Sequence, residues 1–235
     1  MKSLSLQTSS IAASMTVSID TLAKKLKAEG KDIVSLGAGE PDFKTPEIIR
    51  NAAKEAIEQG KTKYVAPTGL EEVRKAVANK LQKENGLSYS ANQIVLTSGA
   101  KQAVFNSLAA LINPDDEIII PAPYWVTYPE LVKWFKGVPV FIETTPESAF
   151  KITPEQLKNA ITEKTKAVIL NNPCNPSGAV YSPKELKALS EVIVDNDLFC
   201  ISDEIYEHFC YETEFASIAS FPVIYERTIL INGFS

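Results

Sequence analysis

AVILNNPCNPSG, residues 167–178, sets an unbroken apolar run against a segment holding three asparagines and two prolines. The first half reads as a strand and the second as its exit. Because the apolar residues are continuous rather than alternating, the strand is expected to be buried on both faces, as in a parallel sheet. A surface turn needs only one or two residues of the Pro, Asn or Gly type. This exit is stiffer than that, and it places the amide of Asn175 in its middle. Taken alone it is either a rigid loop or a device for holding that amide.

The same kind of run recurs at 94–97, 117–120, 138–142, 198–202 and 228–231, with helical patterns between several of them. Thr45-Pro46 starts one helix, which carries Ile49, Ala52, Ala53, Ala56 and Ile57 and stops at Gly60. A second spans about 70–84, with Val73, Ala76, Val77 and Leu81 as its buried stripe. Thr153-Pro154-Glu155-Gln156 and Ser182-Pro183-Lys184-Glu185 both read as capping boxes with proline at the first helical position. Strands alternating with helices give an α/β fold with a mostly parallel central sheet flanked by helices. Residues 35–43, SLGAGEPDF, are too rich in Gly and Pro for regular structure.

A chain of 235 residues holds one large domain, or one and part of another. Its net charge of −5 argues against a nucleic-acid or anionic-membrane surface. No apolar run approaches the roughly 18 residues of a membrane span. The N-terminus, MKSLSLQTSSIAAS, has no continuous apolar core, so a cytoplasmic protein is expected. Cys174, Cys200 and Cys210 are odd in number and lack ligand spacing with the single histidine, His208; free thiols and no metal site are expected. Neither a G-x-G-x-x-G nor a Walker loop occurs, which disfavours a plain nucleotide-binding domain.

In open α/β sheets ligands bind outside the carboxyl ends of the strands. After 94–97 comes SGAKQA, 98–103, where Gly99 permits close backbone approach and a helix start offers N–H groups to a phosphate. An ordinary strand-to-helix turn has the same composition. After 117–120 comes PAPYWVTYP, 121–129, in which Tyr124 and Trp125 are either packing or a rigid face for a planar ligand. After 167–170 comes Asn175. After 198–202 comes DEIYEHF, 203–209, where Asp203 is a helix N-cap or a buried acid and Tyr206 follows three positions on. His208 reads as packing or solvated. Together the exits supply a phosphate cradle, an aromatic face, an amide donor, and an acid with a phenol. That set matches the needs of pyridoxal 5'-phosphate, whose ring nitrogen takes a carboxylate and whose phenolic oxygen takes donors.

The segments SLGAGEPDF, KYVAPTGLEEVRKAV, TSGAKQAVFN, PAPYWVTYPE, NNPCNPSGAVYS and SDEIYEHFCYE stand in family order from near residue 14 to the last residue. On these the chain resembles the class I aminotransferases of fold type I, and most closely the bacterial aspartate aminotransferases. The resemblance implies that Gly99, Ala100 and Lys101 hold the cofactor phosphate through backbone N–H groups and that Trp125 stacks on the ring. It assigns Asn175 and Tyr206 to the phenolic oxygen and Asp203 to the ring nitrogen. Tyr64 matches a tyrosine that reaches the phosphate of the neighbouring subunit, which implies a homodimer with active sites at the interface. Gly39 matches backbone that contacts substrate, alongside Trp125 and Asn175, and Ser14, Thr16 and Lys101 fall at positions associated with an acidic substrate side chain.

The family's Schiff-base lysine follows a segment like INGFS, 231–235, and is expected immediately after Ser235. Three residues before it Gly233 stands where serine is common, leaving only backbone. The arginines that clamp the substrate carboxylates are likewise expected beyond 235, since Arg50, Arg74 and Arg227 match no motif. By the same resemblance residues 1–44 form the N-terminal arm and part of a small domain, and 45–235 the large cofactor domain, incomplete at its end. The implied activity is transfer of the amino group of aspartate to 2-oxoglutarate with ping-pong kinetics. Alternatives are an aromatic or broad-specificity aminotransferase of the same fold, or a non-catalytic cofactor-binding regulatory module. No basic DNA-binding segment supports the latter.

Overall fold

The run at 167–170 lies in the central strand of a five-stranded sheet. In the computed structural model the strands are β1 (Glu117–Pro121), β2 (Val138–Ile142), β3 (Thr165–Asn171), β4 (Phe199–Asp203) and β5 (Thr228–Ile231), in the order β2-β1-β3-β4-β5. Every neighbouring pair is parallel. The helices are α1 (Met15–Ala28), α2 (Glu47–Glu58), α3 (Glu71–Asn85), α4 (Gly99–Leu111), α5 (Thr127–Trp134), α6 (Pro154–Ala160) and α7 (Pro183–Asp195). The structure describes residues 5, 7, 8, 11, 15–37, 39 and 41–234. They divide into two compact units, Met1–Ile11 with Glu71–Ser235, and Ala12–Leu70.

In the central strands β1, β3 and β4 both faces are covered, as their continuous apolar runs imply, while Val138 and Phe141 of edge strand β2 are exposed. Ile118, Ile120, Ala167, Ile169 and Ile201 pack with Val104 and Leu108 of α4 and with Tyr128 and Val132 of α5. Ile119, Val168, Leu170 and Cys200 face the other way, onto Leu157 of α6 and Leu186, Leu189 and Ile193 of α7. Both expected capping boxes form. Thr153 accepts from the Gln156 N–H at 3.2 Å, and the Ser182 hydroxyl from that of Glu185 at 3.3 Å. The Glu185 side chain answers by accepting from the Ser182 N–H at 2.7 Å.

Two expectations are corrected. The run 94–97 is not a strand: Ile94 has extended angles (φ −112°, ψ 132°), but no strand lies beside it among the described residues, and extended backbone without a ladder partner is only a loop. On α3, Leu81 is buried as expected, but Ala76 is exposed and Arg74 is buried in its place. Arg74 is drawn in by its guanidinium, whose Nη1 donates to the Ala91 carbonyl at 2.6 Å.

In the unit Ala12–Leu70, α1 ends at Gly30 and α2 at Gly60, with φ of +80° and +68°, left-handed angles that glycine adopts without strain. No residue of α2 is buried, so its apolar stripe is uncovered; Ile57 is 65% exposed. The described part of 35–43 has no regular structure, as its composition implies. The compact unit Ala12–Leu70 includes α2. Among the described residues no helix is long and apolar enough to cross a membrane.

Replacing Ser182 with Ala removes the cap of α7 from the Glu185 N–H. We expect a loss of about 1 kcal/mol in stability, read in urea as a lower midpoint at unchanged slope.

Candidate active site

The strand order fixes where a ligand can sit. From β1 the chain moves outward to β2, then crosses back to place β3 on the other side of β1. The connections leaving β1 and β3 therefore part to opposite faces of the sheet and open a crevice at the carboxyl end. The candidate residues Trp125, Asn175, Asp203 and Tyr206 all lie on exits of β1, β3 and β4.

The asparagines of 171–178 divide the work of holding that end. Asn171 pairs in register with Asp203 across β3 and β4. Its Nδ2 donates to the Asp203 carbonyl at 2.9 Å, and its Oδ1 accepts from the Asn175 N–H at 2.6 Å. The Asn172 N–H donates to the same Asp203 carbonyl at 3.0 Å. Its side chain accepts from the Tyr181 N–H at 3.0 Å and donates to the Ala216 carbonyl at 3.2 Å. The loop closes on itself through Gly178 N–H to Cys174 carbonyl, 2.8 Å, and Cys174 N–H to Ala179 carbonyl, 3.0 Å. Asn175 is half-buried on this frame, its backbone fixed through Asn171. Side-chain amides thus do much of the work of stiffening this exit.

Asp203 does not cap a helix, because residues 205–208 form turns. It is 2% exposed. Its Oδ2 accepts from the Tyr128 hydroxyl at 2.7 Å and its Oδ1 from the Ile205 N–H at 3.3 Å. Burial raises its pKa above the usual carboxylate range, and the two hydrogen bonds pull the other way. No lysine, arginine or histidine among the described residues pairs with it. Tyr128 also meets the Trp125 ring edge-on, with 5.4 Å between centroids. The Lys101 ammonium lies 5.2 Å from the centre of the Trp125 ring. Lys101, Trp125, Tyr128 and Asp203 thus form one chain of contacts.

Gly99 opens α4 with φ +78°. Its own N–H goes to the Thr97 carbonyl at 2.9 Å, and the Ser98 N–H to the Gln102 side chain at 2.6 Å. The amides of Ala100 and Lys101 are left as first-turn donors without intrahelical acceptors. Tyr206 is half-buried against Phe209, and His208 is exposed. At Gly233 an added Cβ would lie 2.7 Å from Ile205 Cδ1, the far end of a flexible side chain that would have to turn aside. Tyr64 and Gly39 are exposed in the other unit, and Thr16 lies in α1. Ser14 and Ser235 fall outside the described residues.

Sequence reading missed Tyr128, Asn171, Asn172 and Glu204. Glu204 is fully buried, its Oε1 accepting from Ser202 and Ser217 hydroxyls at 2.7 and 2.8 Å. Burial pushes its pKa up to about 8. Glu207, further along the same turn, accepts from Lys80 and from Asn85, the latter at 2.7 Å, tying the turn to α3. Glu84, Glu207 and His208 bring three ligand atoms within 4.8 Å of one another, but the Lys80 ammonium already pairs with both carboxylates.

Comparison with known proteins adds three findings. Residues 31–235 match the family model described as aminotransferase class I and II. Aspartate/prephenate aminotransferase of Thermus thermophilus is 46% identical over 99% of this chain, and aspartate aminotransferase of Bacillus subtilis 45% over 99%. The solved structure of the Thermus thermophilus aspartate aminotransferase with maleate superposes with a TM-score of 0.96 at 46% identity, covering all of this chain and 61% of that one. The chain spans about 60% of the length of the curated relatives it matches.

The folded chain holds a proton on Glu204 that the unfolded chain loses in the ordinary glutamate range, near 4.5. Its contribution is therefore full below about 4.5 and falls away as pH rises to about 8. Glu204→Gln should remove this part of the pH dependence. Urea midpoints measured across the range should fall with pH in the wild type and be flatter in the variant.

Proposed function

The chain belongs to the class I and II aminotransferase family, and on that premise we propose that it carries the cofactor site of an enzyme moving the amino group of aspartate to 2-oxoglutarate through pyridoxal 5'-phosphate. The observation that carries the reading is Asp203: a buried carboxylate at the carboxyl end of a central strand, with only neutral donors, beside an aromatic face. Such a group suits a cationic N–H donor, and a protonated pyridine nitrogen is one. The rest of the donor set fits the same cofactor. Ala100 and Lys101 offer amides to a phosphate, Trp125 a stacking face, and Asn175 and Tyr206 an amide and a phenol to the ring oxygen.

When bound, the cofactor supplies a conjugated ring that accepts electrons during amino-group transfer. Asp203 keeps the ring nitrogen protonated, since an adjacent negative charge favours the charged form. The first turn of α4 binds the phosphate through N–H groups and the helix dipole. Trp125 fixes the plane of the ring. Lys101, whose ammonium already lies against Trp125, binds the distal carboxylate of a dicarboxylic substrate. Gly99, Gly39, Ser14, Thr16 and Tyr64 keep their assignments as proposals, Tyr64 serving the site of a second copy in a cytoplasmic homodimer. One site serves both half-reactions, which gives ping-pong kinetics. Prephenate is a second acceptor to try beside 2-oxoglutarate, because the name of the Thermus thermophilus relative joins it to aspartate.

Loaded with pyridoxal phosphate, the full-length protein should absorb visible light and change its spectrum on addition of aspartate. A protein that stays colourless overturns the reading. Asp203→Asn should slow the aspartate half-reaction by on the order of 10²–10³ with little change in Tm, as for loss of a preorganised charge. Lys101→Ala should lower kcat/KM for aspartate more than for alanine, by roughly 10-fold or more for a charge-assisted contact. Equal losses on both substrates would leave Lys101 with a backbone role only.

A further inference from the structure

We propose that Tyr128 is a positioning residue of this site, its phenol O–H anchoring the Asp203 carboxylate toward the cofactor ring nitrogen; this rests on the functional reading above. The phenol is 2% exposed and donates to Asp203 Oδ2 at 2.7 Å, the shortest bond that carboxylate receives. The same ring stands edge-on to Trp125, at an interplanar angle of 86°. One buried side chain therefore touches both the face assigned to the cofactor ring and the acid assigned to its nitrogen. Tyr128 lies three residues after Trp125, in the first turn of α5, while Asp203 ends β4; α5 packs against the sheet where these meet.

A hydroxyl is not needed merely to fill this volume, since Phe has nearly the same shape and buries no polar atom. Burying the O–H is tolerated only with an acceptor, and the acceptor here is a charged group. The groups facing the phenol are Asp203, Cys174 and Tyr206, all of them acids. Burial, and then the neighbouring Asp203 charge, raise the phenol's pKa, so it remains a donor. Its donation stabilises the ionised carboxylate in a place where burial favours the neutral acid. Oδ1, with only the long bond from Ile205, keeps acceptor capacity for a ring nitrogen.

The test is Tyr128→Phe in the full-length protein loaded with pyridoxal phosphate, read by the pH midpoint of its visible absorbance change. Without the donor Asp203 becomes more basic and draws the shared proton from the ring nitrogen. The ring then withdraws fewer electrons, groups conjugated with it become more basic, and the midpoint moves up. The aspartate half-reaction should slow by roughly 10-fold, as for loss of a hydrogen bond to a charge. In an Asp203→Asn background Tyr128→Phe should add no further midpoint shift, because the carboxylate it acts through is gone. A variant with lower Tm but the wild-type midpoint would overturn the proposal and leave Tyr128 a packing residue. Should Tyr128→Phe fail to fold, 3-fluorotyrosine placed at 128 keeps the shape and donates more strongly. The midpoint should then move down, and an unmoved midpoint again overturns the proposal. A wild-type protein without visible absorbance sinks the functional reading itself, an outcome separate from an unchanged midpoint in the variant.

Discussion

A carboxylate taken out of water at the end of a strand costs several kcal/mol unless its surroundings compensate, and Asp203 is such a group with no cation paired to it among the described residues. The arrangement at the carboxyl end of the sheet answers that constraint. Tyr128 comes up from α5 to meet one oxygen, and the Ile205 amide turns back to the other. The carbonyl of the same residue takes two further donors, the Asn171 side chain and the Asn172 amide. Two chain segments distant in sequence, at 128 and at 171–172, converge on one residue.

That convergence depends on register. β3 and β4 pair so that Asn171 stands opposite Asp203, and the pairing is held by apolar layers on both faces rather than by the polar end. A slip of one residue would send Val168 and Leu170 to the face now occupied by Ala167 and Ile169, and would carry Asn171 away from its partner. The core thus sets the site geometry at a distance, and the site's own hydrogen bonds refine it.

The fold was largely legible in the sequence because its signals are local. Continuous runs announced strands buried on both faces, and Thr153-x-x-Gln156 and Ser182-x-x-Glu185 announced helix starts that formed as written. The exception, 94–97, fails because a strand is a relation between two segments, while a sequence pattern describes one. Arg74 fails for a related reason: its burial depends on a carbonyl 17 residues away. At the candidate site, the loops could be named from their composition, but Tyr128 could not, since its partner lies 75 positions along the chain. Nothing local separates that tyrosine from an aromatic packing residue. Glu204 was hidden likewise, a buried acid whose satisfying hydroxyl from Ser217 comes from 13 residues downstream.

Asn171 joins the Asn175 amide on one side to the Asp203 carbonyl on the other through the two ends of a single side-chain amide. Mechanically it is a coupling rod. Loops ordinarily move on nanosecond to microsecond scales relative to the strands that carry them; here two hydrogen bonds of one side chain tie the backbone at 175 to the end of β4. Such a rod needs a donor at one end and an acceptor at the other within the length of one short side chain. Aspartate lacks the donor, serine the reach, and glutamine the fit, so position 171 has almost no chemical latitude although it stands four residues before Asn175, the loop residue to which a ligand is assigned.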